Sequence, residues 1–136
     1  MDKLKLIAHW IVTFPAAILI AWIAFIIINL SGSLVFSWLG LGLDDLIPLA
    51  YLHSVPYLIM GGALIMAASL IAPSHSFIVA IICAALSVLH ILIPLGMVVF
   101  LFESEYIDTW KVVGSLFEIA GVVLGVFSVH SDIKDE

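Results

Sequence analysis

One carboxyl group stands where lipid would reject it. Glu118 is the single charged residue in the apolar run from Val112 to Val129. A charge at bilayer depth costs roughly 2.5–3.5 kcal/mol on insertion scales, so such residues mark protein interiors, ion paths or proton relays. Lys111, Gly114, Glu118, Gly121, Gly125 and Ser128 follow the i, i+3, i+4, i+7 spacing of one helical face. The other positions are mostly Val, Leu, Ile and Phe. Gly121 and Gly125 carry the GxxxG spacing that lets two membrane helices approach backbone to backbone. Gly114, Gly121, Gly125 and Ser128 therefore read as a helix-packing face, with Glu118 sheltered from lipid beside it. Two roles suit that carboxyl: exchanging a proton or cation, or fixing the packing as a neutral, hydrogen-bonded group.

A second polar stripe precedes it. Cys83, Ser87, His90 and Pro94 are spaced i, i+4, i+7, i+11, again on one face. Pro94 has no N–H and frees the carbonyl of His90 four residues earlier. Counted back from the connection between the two stretches, His90 and Glu118 differ in depth by about two helical turns or less. The expectation is an ion or proton site at Glu118 with His90 as its modulator. A histidine satisfied by a neighbouring hydroxyl or carbonyl is the plainer reading of His90.

These groups need helices to hold them. The chain has 136 residues, 65% hydrophobic and 10% charged, with a mean hydropathy of +1.34. Soluble domains are about 45–50% apolar and about 25% charged. Four apolar stretches, near 6–30, 48–72, 76–102 and 109–130, are each long enough to cross roughly 30 Å of hydrocarbon as helix. Backbone groups in lipid must be satisfied within their own segment, which favours helices here. The continuous runs lack the short alternation of a barrel. The expected fold is a single all-α integral membrane domain of four transmembrane helices in a compact bundle. The first stretch is too long for a signal peptide and reads as a retained span.

The connections differ. Residues 31–47 contain SGS, GLG and Asp44-Asp45 among Leu and Trp. They are expected to form a short interfacial helix or a re-entrant segment. Ala72-Pro73-Ser74-His75-Ser76 is a tight turn, with Ser74 or Ser76 capping the next helix. The acidic connection from Glu103 to Asp108 sets up an antiparallel hairpin. Lys3, Lys5 and Lys134 place both termini in the cytoplasm by the positive-inside rule, with Lys111 as the exception. The membrane expected is the plasma (inner) membrane.

Several chemistries are disfavoured. The net charge is −6 with four basic residues, the wrong balance for nucleic acid. A lone cysteine, Cys83, excludes an intrachain disulfide and a cysteine-based zinc site. No nucleotide loop, catalytic triad or His-Glu metal motif is present, so an enzyme is not expected. His9, His75 and His130 share one boundary, but the paired spacing of a haem or metal site is not evident. Asp44, Asp45, Glu103, Glu105 and Asp108 read as solvated loop acids rather than a cation site. Trp10, Trp38 and Trp110 suit the interfaces, while Trp22 lies deeper and is expected to pack. No cofactor is required by these residues.

The first expectation of function is an oligomeric channel, transporter or proton-coupled unit with a polar seam in the bilayer. The alternative is a non-transporting membrane subunit that stabilises a larger complex through its glycine face. A haem- or quinone-handling electron-transfer subunit comes third.

Overall fold

The computed structural model describes residues 2–101 and 108–134. Among the described residues, 88% are helical and none is in a strand. Five helices follow in order among them: α1 (Lys3–Trp38), α2 (Leu46–Leu52), α3 (Val55–Ile71), α4 (Ser76–Leu101) and α5 (Thr109–Lys134). Four helical stretches are long and apolar enough to cross a membrane, with α2 and α3 together forming the second. The connection carrying Glu103 and Glu105 lies outside the described residues.

The first helix does not stop near Leu30. It continues to Trp38, 36 residues in all, or about 54 Å at 1.5 Å per residue. The Ser-Gly-Ser sequence fails to break it because both hydroxyls bond within the helix. Ser31 Oγ donates to the carbonyl of Ile27 at 2.6 Å and Ser33 Oγ to that of Asn29 at 2.9 Å. The stop comes at Gly40, which adopts φ 74°. There Gly40 N–H bonds Ser37 O at 3.1 Å and Leu41 N–H bonds Phe36 O at 3.0 Å, the paired bonds of a glycine C-cap. The segment expected to be interfacial or re-entrant is thus mostly the end of α1 and a short loop.

The second stretch is broken. Pro56 cannot donate a backbone hydrogen bond, and its ring crowds the carbonyl four residues back. The chain accordingly turns at His53-Ser54, between α2 and α3. Ser54 Oγ bonds Ala50 O at 2.6 Å across the break. Asp45 precedes α2 and accepts the Gly42 N–H at 2.7 Å, a turn role for one of the loop acids. In the turn before α4, Ser74 Oγ bonds the His75 ring at 3.0 Å. It is the His75 carbonyl that takes the Val79 N–H.

α1 meets α2 through Gly32. The ring of Tyr51 lies against this glycine, with its Cδ1 3.0 Å and its Cζ 3.2 Å from where a Cβ would stand. The ring also packs edge-on to Phe36 at 5.3 Å. Gly32→Ala is expected to destabilise the protein by about 1–2 kcal/mol by overpacking. Tyr51→Leu in the same chain should recover at least half of that loss in a detergent unfolding titration. Equal stability of Gly32→Ala and wild type would remove this contact from the account.

α3 is the hub. It packs on α1, α4 and α5, while α4 and α5 also pack together. α1 has no more than marginal contact with α4 and α5. The bundle is therefore open along its α1–α4 side rather than closed all round. The buried core, including Ala17, Ile65, Ala68, Val79, Ala80, Cys83 and Val122, lies toward the α3–α4 turn. Small residues dominate it, so the helices approach closely. The exterior is apolar along every helix: Leu19 is 62% exposed, Leu70 81% and Phe127 66%.

Candidate functional site: a lateral groove bearing Glu118 and His90

The glycines of α5 are buried against α3 of the same chain. A Cβ on Gly121 would collide with the carbonyl oxygen of Leu58 and would stand 3.0 Å from Gly62 N. On Gly125 it would meet the Ile65 Cβ at 2.8 Å, and on Gly114 the Tyr57 ring at 3.2 Å. The fit is reciprocal, because Gly61 of α3 lies against the Glu118 carbonyl, with Val122 N at 2.9 Å. The two backbones touch over two turns. Ser128 is half-buried further along the same line, and Lys111 is exposed at the α5 start. Spacing in α5 exposes the stripe, but its partner, the Gly61-Gly62 pair, is legible only as two glycines in an apolar run.

This seam fixes Glu118. Its backbone is pressed on Gly61, and its side chain leaves the seam at one edge. There it lines a groove of about 580 Å³ with Phe14, Ile18 and Trp22 of α1, Met60 and Leu64 of α3, and Ser87 and His90 of α4. Glu118 is half-buried, sheltered by α3 and open to the groove. Trp22 does not pack into the core as expected; it is 58% exposed on the groove wall.

The α4 stripe changes character along its length. Cys83 and Ser87 are buried at 4% and 8% exposure, and Ser87 Oγ donates to the Cys83 carbonyl at 2.8 Å. His90 and Pro94 are exposed. The expected single polar face is therefore buried at one end and open at the other, because α1 does not close over α4. His90 and Glu118 line the same groove from different helices. Among the described residues, no hydrogen bond joins the two. Glu118 lies about 14 Å along α5 from Thr109, and His90 about 16 Å back from Leu101 along α4. Both therefore stand well inside their helices.

The remaining histidines serve other contacts. His9 Nε2 is 2.6 Å from the Ile71 carbonyl, bridging α1 to the end of α3. The His130 ring packs on Phe77 at 5.1 Å. His53 Nδ1 lies 2.9 Å from Leu49 O, and its ring faces Tyr57 and Trp110. This aromatic cluster was not legible in the sequence, since its members come from different helices. Among the described residues, no group of three or more His, Cys, Asp or Glu side chains could hold a metal. Asp108 Oδ1 accepts the Trp110 N–H at 3.0 Å.

Over the described residues the fold is all-helical, with four stretches long and apolar enough to cross a membrane and a groove that carries Glu118. Comparison with protein-family models, curated proteins and solved structures gave no significant match.

Proposed function

We propose that this chain is a multi-pass protein of the plasma (inner) membrane, with both termini cytoplasmic, acting as a proton-coupled transport unit. Glu118 carries the proton and His90 modulates it. The observation that carries the reading is that Glu118 and His90, from different helices, line one groove among mostly apolar side chains. An ionisable group kept at that depth is held at a cost and suits a proton relay. The unsealed α1–α4 side suits assembly with a second copy, which would complete the walls of a pathway that four helices leave open. The alternative, a non-transporting subunit docking through its α5 glycines, loses support because α3 occupies that face.

The test is proton movement into liposomes holding the purified protein. Wild type is expected to conduct protons down an imposed gradient, Glu118→Gln at least tenfold less, and His90→Ala with a displaced pH dependence. Equal flux through Glu118→Gln, or none through wild type, overturns the reading.

A further inference from the structure

We infer that the groove takes a lipophilic monocation, an amine or quaternary onium ion bearing bulky apolar groups, with Glu118 as its counter-charge. The inference rests on the proton-coupled reading and adds a ligand that competes with the proton for the same carboxyl.

Three features of the groove select this class. Its size, about 580 Å³, falls within the ~300–1,000 Å³ of sites for drug-sized molecules. Its walls are apolar and partly aromatic, with Phe14 and Trp22 from α1 facing Leu86 from α4. Ring faces favour a weakly hydrated cation. Among the described residues its one carboxyl is Glu118, and no Lys lines it.

Competing ligands fit poorly. An anion would meet Glu118 and no fixed cation. A sugar or other polyhydroxylated solute would find only Glu118, His90 and the acceptor side of Ser87 for its many hydroxyls, because Ser87 already donates to the Cys83 carbonyl. Calcium or magnesium would need about six oxygens where Glu118 supplies two, and among the described residues no group of three or more His, Cys, Asp or Glu side chains could hold another metal. A lipophilic cation also reaches a lateral opening from the bilayer, where such ions concentrate.

The groups facing Glu118 set the pH dependence. From α4 these are His90 and Cys83, while α1 and α3 contribute only uncharged side chains to the groove. Along α5 the nearest charges are Lys111 and Asp132, each about two turns or more away. Protonation of Glu118 or of His90 makes the groove less negative, so affinity for a cation falls as pH falls.

The experiment compares two ions of matched shape and opposite charge, tetraphenylphosphonium and tetraphenylborate, binding to the full chain in mild detergent. The phosphonium is expected to bind at least tenfold tighter than the borate. Glu118→Gln should lower phosphonium affinity at least tenfold, and Glu118→Asp, which keeps the charge, should stay within about threefold of wild type. Trp22→Ala should weaken binding severalfold. Borate binding as tight as phosphonium, or phosphonium binding unchanged in Glu118→Gln, overturns the inference. Proton flux without phosphonium binding overturns the ligand class and leaves the proton reading standing. Charge-selective binding without proton flux supports the ligand class and overturns the coupling.

Discussion

A single methyl group at Gly121 is expected to destabilise the protein by about 3 kcal/mol or more, the upper range for overpacking. The same change at Gly62 is expected to be neutral or slightly stabilising. Alanine is the better helix former by about 1 kcal/mol, so intrinsic propensity favours both substitutions. What separates them is the neighbour. At Gly121 the new Cβ runs into the backbone carbonyl of Leu58, with its carbon 2.9 Å away, and a helix backbone cannot turn aside as a side chain can. At Gly62 the nearest atom is the Gly121 carbonyl oxygen at 3.5 Å, an ordinary contact. Gly61→Ala should resemble Gly121→Ala, because it meets the Glu118 carbonyl from the other side of the seam. Titration with a denaturing detergent, followed by tryptophan fluorescence, measures the difference. Matching midpoints for Gly121→Ala and Gly62→Ala would show that α3 and α5 do not meet in this register.

Glu118→Leu is expected to make the protein more stable, by about 1 kcal/mol, while abolishing proton flux at least tenfold. Replacing a buried ion pair by apolar side chains of similar volume is often neutral or stabilising by about 1–4 kcal/mol, and a half-buried carboxyl without a bonded partner has less attraction to lose. The groove around Glu118 offers apolar partners in Met60 and Leu64, and no hydrogen bond to its carboxyl exists among the described residues. The carboxyl therefore contributes little to holding the helices together. Functional groups are commonly kept at such a cost to stability. The same unfolding titration and the liposome assay, run on one preparation, decide the matter. A destabilised Glu118→Leu that still passes protons would assign the carboxyl to packing and remove it from the transport reading.

How far the fold could be read in advance depended on the kind of signal. The four apolar stretches were legible because each is a local run of residues, and α4 begins and α5 begins where the sequence places them, at Ser76 and Thr109. The end of α1 was misplaced by about eight residues, because Ser-Gly-Ser reads as a breaker only if its hydroxyls do not bond back to the helix. The break at His53-Ser54 lies inside an apolar run, with Pro56 as its signal in the sequence. At the site, the helical spacing of Gly114, Glu118, Gly121 and Gly125 identified a small-residue face, and depth counting brought His90 near Glu118. The spacing could not say which helix fills that face.

By itself the sequence determined the four long apolar helices, the narrow face of α5 where bulk is removed, and the place of Glu118 in the middle of that helix. These follow from local periodicity and from the cost of charge in lipid, and both are properties of a segment alone. Only the tertiary structure decided that α3 takes the glycine face, that α1 stands off from α4, and that Trp22, His90 and Glu118 share a groove. Those outcomes depend on how surfaces from distant parts of the chain fit together, which no segment carries by itself.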